Sequence, residues 1–529
     1  MLNVKIDRYL VLIGIFSVAY FIHHHRRRQF RRFPLSLPSW PLVGTAFSMP
    51  RIDVHKFYKE LGKKLGTNII YLEAFGKPIL ILNDIKVAQD LLEKRSGTYS
   101  SRPEIPMLTE VVGFKGFFIT MPYGDEWRLH RRMFQQYFSS SIPRLQEKEL
   151  EFVRKGLLTN LYQSPLEFVN HIKNCVGGLS ISVTYGLPAQ RQRDPQIIAA
   201  EESLAAGGAS SAPGRYLVNI IPQLKYVPEW FPGAQFKREA KKYRKGFDDS
   251  MNKPFLATLD TLASGRAQDC FVTDTLDRYQ DKPDFELHSL HTKQTAVQVF
   301  GALFGTTTTS ITTFFLAMLL YPDVQRRAQQ EIDSVIGHDR LPEFSDLDEL
   351  PYISAIVKEV LRREIFVSDR WNPAVPLGIP HLTTEEDIYE GFYIPKNCTI
   401  MYNAYAMLHD ENAFPEPGKF KPSRFLKPDG TLCDDVLNPE DTGAFGFGRR
   451  ECPGKNVGLS TLVITVASVL HLFDISPAFD EHGRPIEVKP EFDTDSVGSE
   501  PLPFPCKISP RKGKPVEGLL QDYFGNDPI

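Results

Sequence analysis

Cys452 lies in the segment Phe445-Gly446-Phe447-Gly448-Arg449-Arg450-Glu451-Cys452-Pro453-Gly454, which places a thiol, two cations and three glycines within ten residues. A thiolate is both a nucleophile and a metal ligand, and cations and helix N-termini favour it. Arg450 stands two residues before the sulfur, and a helix-compatible run, Lys455 to Leu470, begins just after it. Both influences are expected to lower the thiol pKa. Gly448 lets the backbone turn without a Cβ, Gly454 allows the following helix a close approach to a flat prosthetic group, and Phe445 can wall the sulfur off from water. The chemistry this suits is an iron ligand, since a thiolate on haem iron favours cleavage of the O–O bond of dioxygen. Two plainer readings compete, a buried structural cysteine and a zinc site. Zinc has little support: Cys433 is the nearest other cysteine, and no Cys-x-x-Cys pair or nearby histidine completes four ligands.

The spacing of Phe445, Gly448, Arg450, Cys452 and Gly454 resembles the cysteine loop of the cytochrome P-450 family, the haem-thiolate monooxygenases. The resemblance extends from Pro34 to Arg511. It implies that Cys452 is the axial ligand of a haem b (iron protoporphyrin IX). Trp127 and Arg131 are four apart and share a face if helical; alone they read as an ordinary amphipathic helix, and by resemblance they contact a propionate. His381 follows Pro376-Leu377-Gly378-Ile379-Pro380. Its plain reading is a loop histidine, and its resemblance reading is a second propionate contact, with Arg450 a third. Glu359 and Arg362 alone read as a solvated helix pair of small energetic consequence. Phe420-Lys421-Pro422-Ser423-Arg424-Phe425 resembles the family loop that supplies a second arginine, so Glu359, Arg362 and Arg424 are expected to form a buried structural triad.

These residues need elements to hold them. Hydrophobic periodicity predicts helices at Lys86 to Lys94, Glu126 to Phe138, Leu145 to Tyr162, Gln294 to Tyr321, Asp323 to Ile336 and Leu350 to Arg362. Strands are predicted at Asn68 to Leu72, Ile79 to Leu82, Thr399 to Tyr402 and Cys506 to Ile508. The fold class is therefore mainly α with a minor β-sheet region. Gln294 to Tyr321 is nearly free of charge, so it must cross the centre of the domain. Pro322 stops it.

Two departures from the family pattern stand out. In Ala302-Leu303-Phe304-Gly305-Thr306-Thr307, Thr306 matches the family's proton-relay threonine, but Gly305 stands where an acid is usual, and no Asp or Glu occurs between Glu286 and Asp323. The plain reading of a Thr-rich helix is hydroxyls bonded back to carbonyls. Second, Arg363 to Arg370 intervene between Arg362 and the aromatic-x-Pro entry Trp371-Asn372-Pro373, as an insertion or a gene-model artefact. Candidate pocket walls are Phe114, Phe117, Phe118, Phe300, Phe304, Ala374 to Leu377 and Val497-Gly498, all apolar or small, which suits a lipophilic guest.

The 529 residues carry no internal Ser/Gly-rich or charge-block linker, so one large catalytic domain, 34–529, is expected after an N-terminal segment, 1–33. The net charge of −2 gives no reason to expect nucleic acid, and six scattered cysteines argue against a disulfide scaffold. Tyr9 to Ile22 is an uncharged run of 14 residues, followed by three histidines and by Arg26, Arg27, Arg28, Arg31 and Arg32. As a helix it spans about 21 Å, short of the ~30 Å hydrocarbon core, so flanking side chains must snorkel. It reads as a single-pass anchor of the endoplasmic reticulum membrane with the catalytic domain in the cytosol; a cleaved signal peptide is the rival. The stretch from Gly214 to Gly233 resembles the membrane-facing lid of fungal P-450s of the O-methylsterigmatocystin oxidoreductase type.

The family implies NADPH–cytochrome P-450 reductase as partner, with cytochrome b5 as a second donor, because the chain has no Gly-x-Gly-x-x-Gly nucleotide loop of its own. The expected reaction is hydroxylation or epoxidation of a lipophilic small molecule such as a fungal terpenoid or polyketide. The alternatives are an isomerase or peroxygenase of the same fold, or a non-catalytic haem protein broken by the Arg363 to Arg370 insertion.

Overall fold

The computed structural model describes residues 31–50, 52–190, 194–212, 214–363, 375–433, 435–493 and 499–525. The Tyr9 to Ile22 run, residues 364–370 of the insertion, Trp371-Asn372-Pro373, Ala374 and Val497-Gly498 lie outside them.

Helix α1 (Val54–Leu65) ends at Gly66 in the left-handed region, a standard helix stop. Strands β1 (Ile69–Ala74) and β2 (Lys77–Leu82) follow, paired antiparallel from Ile69↔Leu82 to Ala74↔Lys77. Phe75 and Gly76 close this hairpin at φ of 50° and 76°, the two-residue turn whose twist matches that of the strands. The helical part then runs α2 (Asp125–Ser140), α3 (Ile142–Glu151), α4 (Phe168–Tyr185), α5 (Pro195–Ser211), α6 (Gln235–Ala263), α7 (Phe285–Leu320), α8 (Pro322–Ile336) and α9 (Pro351–Arg363). Strands β3 (His381–Leu382) and β4 (Thr399–Tyr402) complete a four-stranded sheet of order β1-β2-β4-β3, with β2 and β4 parallel. After the cysteine loop come α10 (Lys455–Leu472), β5 (Phe473–Pro477) and β6 (Cys506–Pro510), the last two paired antiparallel.

α7 has 36 residues and is about 54 Å long. It begins at Phe285 rather than Gln294, because polar His288, Thr292 and Lys293 hide the apolar period of its first turns. Pro322 acts less as a stop than as the first residue of α8, where its missing N–H costs nothing. From Thr307 to Leu319 α7 is buried all round, as expected of a helix through the core. α7 and α10 are the described helices long and apolar enough to span a bilayer, yet both are mostly enclosed by protein, so their apolar character serves packing. The predicted helix Leu145 to Tyr162 is interrupted by a π-helical stretch, Phe152–Leu158, whose wider turns no periodicity rule anticipates.

Candidate active site

The loop before α10 turns on two glycines. Gly446 and Gly448 have φ of 80° and 57°, and a Cβ at Gly448 would fall 2.3 Å from the Leu92 carbonyl oxygen. Any side chain there would displace backbone. The Cys452 N–H donates to Phe445 O at 2.8 Å, and Arg131 donates through Nη1 to Glu451 O at 2.5 Å, so α2 grips the loop one residue before the cysteine. Gly454 differs: a Cβ there would lie 3.7 Å from Phe134 and 3.9 Å from Cys452 Sγ, ordinary contacts, so nothing within the chain itself demands glycine.

Cys452 sits deep in the protein and yet has an exposed side chain, so its sulfur faces an interior space rather than bulk solvent. Burial pushes the thiol pKa up, while the Gly454 N–H and Arg131 pull it back. The expected net lowering, with Arg450 as the nearby cation, is therefore corrected on both counts. Arg450 turns away and spends its donors on Ser100 O at 2.8 Å, Phe118 O at 3.1 Å and Met121 O at 2.7 Å, with its guanidinium 4.4 Å over the Trp127 ring.

Arg450 belongs to a cluster of like charge. Arg102 and Arg131 both push its pKa down, after burial itself. Arg102 is buried and donates to Ile119, Ile379 and Pro380 carbonyls at 3.1, 2.6 and 2.7 Å. The Ser101↔Leu382 bridge brings it beside β3. His381 is buried there too, with Nδ1 2.8 Å from Tyr99 O; burial and then Arg102 hold its pKa well below the usual range, so it is neutral. Among the described residues no carboxylate forms an ion pair with Arg102 or Arg450. Their guanidiniums rest on carbonyls, and buried cations of this kind demand an anion.

On α7, Ala302 and Thr306 are exposed in the middle of a helix whose neighbouring turns are enclosed, so this stripe also borders interior space. The Thr306 hydroxyl donates back to Ala302 O at 3.0 Å. Gly301 and Gly305 lie beside the stripe, where a Cβ would meet Leu204 of α5 at 3.4 and 3.2 Å. The position lacking the usual acid is thus a groove that receives Leu204. Several proposed pocket walls prove to be core instead. Phe300 and Phe304 are buried, and Phe114 stacks on Phe247 at 4.0 Å between centroids. Phe118 is buried as well, whereas Phe117, Val375, Pro376 and Leu377 are half-buried. An aromatic side chain brings a large apolar area to whatever it packs on, and here neighbouring core residues take it up.

The family model described as Cytochrome P-450 matches residues 34–504. The chain is a cytochrome P-450. It is 38% identical over 515 residues to cytochrome P-450 monooxygenase ple1 of Rhodocybe pseudopiperita, covering 97% of this chain and 96% of that one. It is 37% identical over 514 residues to cytochrome P-450 monooxygenase 98 of Postia placenta, covering 97% and 96%. Tryptamine 4-monooxygenase of Psilocybe cyanescens is 34% identical over 508 residues, covering 95% and 98%. The enzyme is a monooxygenase with the mainly helical P-450 fold.

P-450s carry a haem iron, and the residues of this one fit such a group: an accessible sulfur, and buried guanidiniums of Arg102 and Arg450 without a counter-anion among the described residues. Arg102 escaped the sequence reading. Ser101-Arg102-Pro103 has no telling spacing, and only the β3 contact brings it to His381. The three residues expected as a triad do meet. Arg362 grips both Glu359 oxygens at 2.8 Å, Arg424 reaches them at 3.2 and 3.4 Å, and the Lys421 N–H adds a bond at 2.9 Å. Arg362 also donates to Leu408 and Pro417 carbonyls, and Arg424 to Pro415 O, so this P-450 ties α9 to the chain leading toward the cysteine loop.

Proposed function

We propose that residues 34–529 form the catalytic domain and that residues 1–33 anchor it to the cytosolic face of the endoplasmic reticulum membrane. The reaction is hydroxylation or epoxidation of a neutral, lipophilic natural product of the terpenoid or polyketide kind. Electrons come from NADPH through a separate reductase, with cytochrome b5 as a second donor. The observation that carries this reading is the pairing of an accessible Cys452 sulfur with the buried cations Arg102 and Arg450, neither of which forms an ion pair with a carboxylate among the described residues.

In this reading Cys452 ligates the iron of haem b, while Arg102, Arg131, Arg450, Trp127 and neutral His381 hold the propionates. Phe445 screens the sulfur, and Gly448 and Gly454 give the loop its close approach. Bound haem supplies dioxygen activation and oxygen-atom transfer. Thr306 holds a proton at Oγ1, and breaking its bond to Ala302 O frees the hydroxyl to pass that proton on. Leu204 lies against Gly305, at the place of the absent acid. No Asp or Glu lies on the central turns of α7 to pair with an ammonium, which supports a neutral substrate.

Turnover should require NADPH, reductase and dioxygen together, with one atom of labelled dioxygen in the product. Turnover without reductase, or unlabelled product, would favour an isomerase or peroxygenase instead. Thr306→Ala should reduce product formed per NADPH oxidised by on the order of 10²-fold, with Thr306→Ser largely retaining it.

A further inference from the structure

Away from the cysteine loop, α2 and α7 bring together Glu126, His130 and His291, whose candidate ligand atoms all lie within 4.8 Å of one another. His130 is fully enclosed, His291 nearly so, and Glu126 stands at the surface. We propose that these three side chains form a zinc-class divalent-cation site bridging α2 and α7.

The hydrogen bonds decide the tautomers. Thr295 Oγ1 donates to His291 O at 2.8 Å, so toward His130 Nδ1, 2.6 Å away, it accepts. His130 therefore carries its proton on Nδ1 and presents a lone pair at Nε2. His291 Nδ1 lies 3.1 Å from that lone pair. In the metal-free protein the two nitrogens share the His291 proton. Two imidazole nitrogens on one tetrahedral zinc, each about 2.0–2.1 Å from it, are separated by about 3.3 Å. The pair is thus already set at near-ligand separation. Metal binding moves the His291 proton from Nδ1 to Nε2 through solvent, with no net change in protonation.

Glu126, being exposed, turns inward as the third ligand, and water takes the fourth position, an open N₂O site of the type that suits zinc. Thr295 acts as the outer partner that fixes a ligating histidine's tautomer and ring orientation. Burial keeps His130 neutral, with its pKa pushed down to about 3, and burial lowers the His291 pKa as well, against the negative charge of Glu126 and Asp284. α2 carries Arg131, which grips the cysteine loop, and α7 carries Thr306. A cation here pins those two helices to each other.

The test uses the full-length, haem-loaded enzyme in a parent whose His23, His24 and His25 are replaced by alanine, removing a competing histidine run. The protein is equilibrated with zinc, dialysed against zinc-free buffer and analysed for zinc per iron. The parent should retain one zinc per haem, and zinc should raise its unfolding temperature. His291→Asn places an amide N–H near the Nδ1 position, so the bond to His130 survives and the metal ligand does not. This variant and Glu126→Gln should lose at least tenfold in zinc affinity and lose the thermal shift, with the carbon-monoxide spectrum unaltered. Equal zinc retention in parent and His291→Asn, or none in the parent, would overturn the assignment.

Discussion

Glu359 and Arg362 are wholly buried, so removing Glu359 strands the Arg362 charge away from water, whereas without Arg362 the carboxylate keeps Arg424. Breaking such a pair costs about 3–5 kcal/mol, far more than an exposed helix pair contributes. Glu359→Gln leaves Arg362 and Arg424 facing each other without a carboxylate, and should lower the unfolding free energy by that amount, seen as a lower denaturation midpoint, along with haem retention. An unchanged midpoint would mean that the backbone carbonyls around Arg362 and Arg424 suffice. At this scale the sequence was readable where partners lie at fixed spacing on one helix, as for Glu359 with Arg362. It was opaque where a contact depends on chain reversal. Arg102 reaches His381 through a bridge across some 280 positions, and the cation beside Cys452 is Arg131 rather than the adjacent Arg450.

Helix packing explains the missing acid. Gly301 and Gly305 open a groove on α7, and Leu204 of α5 lies over it. Gly305→Asp would force the new Cβ and carboxylate against Leu204, with an overpacking cost of about 1–3 kcal/mol. Loss of stability and substrate turnover is expected, and Leu204→Ala in the same chain should restore part of both. Strictly additive effects, within ~0.5 kcal/mol, would show that the two positions do not share the space. The helices themselves were legible from their apolar period, since α2, α8, α9 and α10 lie within two residues of expectation. The π-helical break at Phe152–Leu158 and the polar start of α7 were not, because wider turns in the one and polar residues in the other leave no regular apolar period to read.

Across the molecule, α3 is joined to α10 by a carboxyl rather than by apolar contact alone. Glu149 is fully buried and accepts from Ser460 and Thr461 hydroxyls at 2.6 and 2.7 Å, and burial pushes its pKa up to about 7. Its folded-state pKa lies above the ordinary carboxylate value, so the native protein holds this proton longer than the unfolded chain. Its contribution is present at acid pH and is lost as pH rises through about 7, a difference of roughly 3 kcal/mol. Glu149→Gln should flatten that slope in unfolding midpoints measured across this range; an unaltered slope would place the titration elsewhere. In the proposed arrangement the Cys452 sulfur, in a loop held by Arg131 and the Gly448 turn, is the iron ligand. The reduced carbon-monoxide spectrum of the purified enzyme should display the red-shifted band of thiolate ligation, and Cys452→Ser should abolish it. A wild-type spectrum without that band, or a serine variant that retains it, would contradict the account.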